Sequence, residues 1–138
     1  MNASDLPAAE PLIAGLTVAD AMHRGIVTCP PSASIREVAE LLSAHRVHCA
    51  VVAESSDGAV WGIVSALDLM RGLGSAVPLT AGNLAVFEPV TVDPRDDLSR
   101  AAHLMAEHDV AHLIVVADGS PVGILSTLDV ADAAASGA

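Results

Sequence analysis

The feature that most constrains this chain is that it repeats itself. WGIVSALDLM (61–70) returns as VGILSTLDVA (122–131), with Asp68 and Asp129 separated by 61 positions. Upstream, residues 17–47 align with 80–110 at a constant offset of 63. Identities fall at Thr17/Thr80, Val27/Val90, Thr28/Thr91, Pro31/Pro94, Ala39/Ala102, Leu41/Leu104, His45/His108 and Val47/Val110. The best letter match for HCAVVA (48–53) against HLIVVA (112–117) takes an offset of 64, and the offset falls to 61 from the Asp-Gly pairs at Asp57 and Asp118. Insertions confined to element junctions are what two copies of one supersecondary unit show when cores are kept and turns vary.

Each copy predicts the same order of elements. A short extended stretch (Ile26 to Cys29, Val90 to Val92) is broken by Pro31 or Pro94. A helix follows. In the first copy Ser34 and Glu37 form a capping box, and Ile35, Val38, Ala39 and Leu42 fall on one face; in the second, Asp97 stands as cap before Leu98, Ala101, Ala102 and Met105. HCAVVA and HLIVVA read as apolar strands, SDG and ADG as hairpin turns, and a third strand (Val60 to Val64, Val122 to Leu125) enters a helix starting at Ser65 or Ser126. Short leading helices are capped by Thr17 and Thr80.

Composition narrows the function. Of 138 residues 52% are apolar, yet there is one Trp, one Phe and no Tyr, so aromatic platforms for stacking nucleic-acid bases are nearly absent. Six basic residues, all Arg, against seventeen acidic ones give a formal charge of −11, which opposes binding to nucleic acid or anionic membrane. No basic n-region with an apolar h-region opens the chain, and no apolar run approaches a membrane span, so a cytoplasmic location is expected. Cys29 and Cys49 stand outside any C-x-x-C and read as buried reduced thiols. His45/His48 and His108/His112 are each divided by a turn and joined by no ligand-spaced carboxylate or Cys, so zinc is not expected. DPRDDLSR (93–100) lacks the alternation of a calcium loop. Neither G-x-S-x-G nor a P-loop is present, and no enzyme is expected.

The repeated heptapeptide supports two readings. A Gly ahead of a Ser N-cap leaves the helix N–H groups and their partial positive charge facing an anion, while Asp68 and Asp129 offer two acceptor oxygens each to a vicinal diol such as ribose. The same S-x-x-D is also a capping box that needs no ligand.

The element order, the doubled G-h-h-S-x-x-D and the Val-Val strand before an Asp-Gly turn resemble the cystathionine-beta-synthase (CBS) domain. Two tandem copies resemble its Bateman module. The resemblance implies an α/β fold of two β-α-β-β-α repeats packed as a pseudo-twofold pair: a flexible tail at 1–14, repeat one at 15–75 and repeat two at 76–135. It implies a regulatory module binding adenosine-containing ligands (AMP, ADP, ATP or S-adenosylmethionine) in two clefts, with no cofactor required. Asp68 and Asp129 are then ribose ligands, Ser65 and Ser126 lie near phosphate, Val27 and Val90 meet adenine through their backbone, Val47 and Ala111 line the base pocket, and His48 and His112 contact phosphate. The clefts would be cross-built, setting Asp129, Ser126 and His112 against Val27 and Val47, and Asp68, Ser65 and His48 against Val90 and Ala111. The chain departs from the phosphate-binding pattern at Cys49 and Leu113, where Arg is frequent, so AMP-like ligands are expected over ATP. Arg71 has Asp132 as its counterpart, making the Asp68 site the better seat for an anion; Arg46 could also flank a cleft. A homodimer joined through the second helices, LDLMRGLG and LDVADAAA, and an unidentified regulated protein are the partners implied. A protein-interaction module of the same fold, with no nucleotide, is the alternative.

Overall fold

The computed structural model describes residues 12–53 and 61–136. In chain order the elements are α1 (Val18–Ala21), β1 (His23–Arg24), β2 (Thr28–Cys29), α2 (Ile35–His45), β3 (Cys49–Ala53), β4 (Trp61–Ser65), α3 (Ala66–Leu73), α4 (Ala81–Leu84), β5 (Val86–Phe87), β6 (Thr91–Val92), α5 (Leu98–His108), β7 (His112–Ala117), β8 (Ser120–Ser126) and α6 (Thr127–Ser136). The chain is mixed α/β, as expected, with two four-stranded sheets. The SDG turn at 56–58 and residues 1–11 of the expected tail lie outside the described residues.

Two compact units result, and they do not follow the sequence repeats. A middle unit spans residues 26–89, and a terminal unit joins residues up to Gly25 with those from Val90 onward. The middle sheet runs β2-β3-β4-β5, and the terminal sheet runs β1-β8-β7-β6. In both, the first two strands along the core of the unit (β2 and β3; β6 and β7) are parallel and the next pair antiparallel.

Strands β1 and β5 were not expected. Two residues each, His-Arg and Val-Phe, carry no periodicity to read. β1 lies antiparallel on β8, pairing His23 with Ile124 and Arg24 with Gly123, while β5 pairs Val86 with Ile63 and Phe87 with Gly62 on β4. The leading helices go with them. In the terminal unit the Val18 and Ala19 N–H groups donate to Asp96 O and Pro94 O (both 2.9 Å); in the middle unit Ala81 and Gly82 donate to Ala33 O and Pro31 O (both 2.8 Å). These bonds satisfy the first N–H groups of helices too short to hold themselves together.

The long helices form where their patterns predict. Ser34 Oγ accepts from the Glu37 N–H (3.1 Å) and Glu37 reaches back to the Ser34 N–H (3.3 Å), closing the expected box on α2. Asp97 occupies the N-cap of α5, but its side chain makes no cap bond; the Leu98 N–H donates instead to Leu16 O at 2.9 Å. Val38 and Leu42 from α2 are buried with Cys29, Ala50, Val52, Val64 and Leu69. Leu98, Ala101 and Met105 from α5 are buried with Val18, Val92, Leu113, Val115 and Leu125. Ile13, within the expected tail, is buried in that second core. Each large aliphatic side chain so buried contributes about 1.5–3 kcal/mol, enough for an almost non-aromatic core. The ADG turn is present: Asp118 (φ 53) and Gly119 (φ 78) form the two-residue link between Ala117 and Ser120.

The register corrects one expectation. Thr28 pairs with Val51 and Thr91 with Ile114, and Cys49 faces Ser65 as His112 faces Ser126. The offset therefore stays at 63 through these strands, and the apparent 64 is a one-residue slip. His48 is the structural counterpart of Ala111, and His112 that of Cys49. Alternation sends consecutive strand residues to opposite faces, so His48 and His112 are not equivalent positions.

Candidate functional site

The two Asp residues of the repeated heptapeptide are held alike. In the middle unit Asp68 Oδ2 accepts from the Ser65 N–H and from Ser65 Oγ (both 2.9 Å), and Ser65 Oγ accepts from the Asp68 N–H at 3.1 Å. In the terminal unit Asp129 Oδ2 accepts from the Ser126 N–H at 2.8 Å, and Ser126 Oγ accepts from the Asp129 N–H at 3.1 Å. Both capping boxes are thus closed. Each leaves the other carboxylate oxygen to a nitrogen of an exposed side chain: Arg71 Nη1 stands 3.2 Å from Asp68 Oδ1, and His23 Nδ1 stands 2.9 Å from Asp129 Oδ1. The Asp129 carboxylate is buried and that of Asp68 half-buried, their side chains 6% and 14% exposed, whereas the His23 and Arg71 side chains are 77% and 68% exposed. Water competes for those nitrogens, so Oδ1 is the more easily released oxygen of each Asp.

The recurrence of the Gly in both copies has a packing cause. A Cβ on Gly62 would stand 2.7 Å from the Val86 carbonyl oxygen and 3.1 Å from Phe87 Cδ1; one on Gly123 would strike the His23 carbonyl oxygen and Met22 Cε. The short strand crossing each of these positions leaves room only for hydrogen. Gly, Ser and Asp in G-h-h-S-x-x-D are therefore all used by the fold, and what remains for a ligand is one carboxylate oxygen per copy.

The other expected residues fall into the same two neighbourhoods. Val27, Val47, His48, Ser65 and Asp68 belong to the middle unit, and Val90, Ala111, His112, Ser126 and Asp129 to the terminal one. The His48 carbonyl accepts from the Ala66 N–H at 2.7 Å, and the Ala111 carbonyl from the Thr127 N–H at 3.0 Å, tying each residue to the start of α3 or α6. Val27 and Val90 offer their carbonyls to the Val51 and Ile114 N–H groups, at 2.8 and 3.4 Å. His48 is exposed, while His112 is half-buried opposite Ser126. Arg46 is the left-handed C-cap of α2 (φ 55), as Asp109 is of α5 (φ 53).

Sequence reasoning missed His23. Its carboxylate partner lies more than a hundred positions away, and only the placement of β1 on β8 brings the two together. A faint signal existed: Asp129 lacks the i+3 arginine of Asp68 and so needed a partner from another element.

Elsewhere Asp93 and Arg95 occupy each other. Arg95 donates from its N–H and Nε to Asp93 Oδ1 (both 2.9 Å), pulling the Asp93 carboxyl down to about 2. Burial, reinforced by the charge of Glu37, pushes the Cys29 thiol up. Cys29 and Cys49 are both buried and form no disulfide. Among the described residues no three His, Cys, Asp or Glu side chains are placed to share a metal ion, and no helix is long and apolar enough to cross a membrane.

The CBS domain family model matches residues 18–75 and 81–136, each stretch ending in one copy of the helix that the Ser-Asp box caps. The chain belongs to the CBS domain family. It is a tandem CBS pair, and the family is a regulatory module. The solved structure of CBSX2 in complex with AMP is similar, with 30% identity, a TM-score of 0.73 and coverage of 88% of this chain and 97% of that one. So is PAE2072 from Pyrobaculum aerophilum complexed with AMP, at 32% identity and a TM-score of 0.74, covering 83% of this chain and 89% of that one. Among curated proteins, the homoserine O-acetyltransferase of Methanohalophilus mahii is 32% identical over 114 residues, which is 81% of this chain but 23% of that protein. The chain thus spans under a quarter of that relative's length.

Proposed function

We propose that this CBS pair is a ligand-sensing regulatory module, without enzymatic activity of its own, that binds adenosine-containing ligands and takes AMP-like ones in preference to ATP. The observation that carries this reading is the doubled carboxylate: Asp68 and Asp129 each commit Oδ2 to a helix cap and hold Oδ1 against an exposed, displaceable side chain. Oδ1 is the acceptor a ribose diol would take. AMP in the solved CBS structures at 30% and 32% identity supports adenosine as the ligand class. Ser65 and Ser126, with His48 and His112, flank the phosphate; Val27, Val47, Val90 and Ala111 supply the base contacts.

The preference for one phosphate follows from donors and charge. Of the first three N–H groups of α3, that of Ala66 goes to the His48 carbonyl and that of Asp68 to Ser65 Oγ, leaving Leu67 to meet an anion. A formal charge of −11 opposes every further phosphate. The module works as a cytoplasmic homodimer: Leu67, Met70 and Leu73 expose an apolar stripe on α3 (61%, 54% and 60%), and Leu128 on α6 is 63% exposed. Light scattering at micromolar concentration gives a dimer mass; a strict monomer removes this assembly.

The competing reading is a protein-interaction module of the same fold with no nucleotide. It is favoured by the closure of both capping boxes without any ligand. Thermal unfolding against AMP, ADP, ATP, S-adenosylmethionine and NAD separates the two. A ligand that binds the folded chain raises Tm with concentration, most for AMP on this proposal and for none of them on the alternative.

A further inference from the structure

The two carboxylates differ in the origin of the side chain that covers them. Asp68 is covered from its own helix by Arg71, whose charge is permanent. Asp129 is covered by His23, which arrives on β1. Neither side chain has an equivalent in the other copy: at the offset of 63 His23 corresponds to Val86, an exposed aliphatic, and at 61 Arg71 corresponds to Asp132. The copies are alike in fold and unlike in what stands over the ligand oxygen.

We infer that His23 is a gating residue for the Asp129 site: its imidazole holds Asp129 Oδ1 and yields it to an incoming ribose diol, which makes that site pH-sensitive. The inference rests on the proposed binding of adenosine-type ligands. His23 Nδ1 is 2.9 Å from Oδ1 and its side chain is 77% exposed, so the ring can swing into water while the carboxylate, 6% exposed, stays fixed by Ser126. A diol that takes the vacated oxygen replaces one hydrogen bond by two and keeps the buried charge solvated. When the imidazole is charged it binds the carboxylate more strongly than when neutral, and a neutral diol competes less well. Acidification, which charges the imidazole, therefore weakens binding at this site.

The surroundings leave this role to His23. β1 pairs only with β8, which carries no titratable side chain. On the helices of the same unit α6 carries Asp129, against the ring, and Asp132, and α1 carries Asp20, whose carboxylate already accepts from the Thr17 N–H (2.7 Å) and Oγ (3.1 Å). Arg24, exposed beside His23, keeps its charge throughout. The unit's other imidazoles are His112, opposite Ser126 on β7, and His103 and His108 of α5.

The probe is adenosine, which has no phosphate to titrate. Its affinity is measured by calorimetry at pH 8 and pH 5.5 in wild type and in an Asp68→Ala host, where binding reports the Asp129 site. In the host, affinity should fall by about two- to fivefold at the lower pH, the range of an exposed ion pair. His23→Gln, a neutral cover, should remove that dependence, and His103→Gln, on the exposed face of α5, should retain it. His23→Ala should bind about two- to fivefold tighter than the host at pH 5.5, with circular dichroism verifying that each variant is folded. Unchanged affinity and pH profile in the His23 variants, weaker binding by His23→Ala, or a host that fails to bind while wild type binds each overturns the gate and leaves nucleoside binding standing. Absence of adenosine binding in wild type overturns the nucleoside reading and the gate with it.

Discussion

Replacing Gly62 or Gly123 by Ala tests why the repeated motif keeps its glycine. A Cβ added at Gly62 would sit 2.7 Å from the Val86 carbonyl oxygen, against an ordinary contact of 3.4 Å or more, so the backbone of β5 must retreat by roughly 0.7 Å. β5 is two residues long and is held in its sheet by β4 alone, so that retreat uncouples it. Overpacking of this kind costs about 1–3 kcal/mol, and the reduced freedom of the unfolded chain returns about 0.4–1 kcal/mol, so mid-range values leave a net loss of about 1.3 kcal/mol and the extremes up to about 2.6 kcal/mol. For a chain of this size a mid-range loss lowers Tm by about 5 °C. Gly123→Ala should lie at the severe end, because its Cβ meets both the His23 carbonyl and Met22 more closely. Gly74→Ala is the control: its nearest neighbour is Arg71 O at 3.6 Å and its φ is −83, so Tm should hold or rise. Unfolding by circular dichroism reads all three. If Gly62→Ala and Gly123→Ala unfold with wild type, strand packing does not explain the glycines.

Glu88 holds a left-handed φ of 54 where its counterpart Gly25 has 84, so Glu88→Gly should raise stability by up to about 1 kcal/mol and Gly25→Ala lower it by a similar amount, read from urea midpoints. Ser34→Ala should cost about 1 kcal/mol by opening the α2 capping box, whereas Asp97→Ala, whose side chain makes no cap bond, should cost less in the same assay. The raised Cys29 thiol keeps its proton in the fold at a pH where the unfolded chain ionises, so the stability it contributes is full below the thiol's ordinary range and is lost as pH climbs through it. Thiol reagents should label Cys29 slowly in the native protein and label two groups per chain in denaturant without reductant; finding none in denaturant would overturn the reduced state.

Much of this arrangement can be read from the residues. The apolar faces of α2 and α5 bury the side chains their spacing picks out, because burial of a helix face is what sets that spacing. The Ser65–Asp68 and Ser126–Asp129 boxes form as S-x-x-D predicts, since both partners are three residues apart. What the letters hide is non-local. β1 and β5 are too short to have a period, and their existence shows only as two glycines that no turn requires. The pairing of His48 with His112 fails because identical letters lie one step off the hydrogen-bond register, and a ladder follows backbone geometry, not residue identity. His23 escapes for the same reason as β1: a hydrogen bond across a hundred residues has no local spacing.

The account turns on the Oδ1 oxygens of Asp68 and Asp129, and calorimetric titration of AMP into wild type, Asp68→Ala, Asp129→Ala and the double variant addresses them directly. A hydrogen bond to a carboxylate contributes about 1.5–3 kcal/mol, so each single variant should weaken its own site by roughly ten- to a hundredfold, and the double variant should weaken both by that factor. A wild type that gives no AMP heat, or a folded double variant that binds AMP undiminished, contradicts the account and leaves the two Ser-Asp pairs as helix caps only.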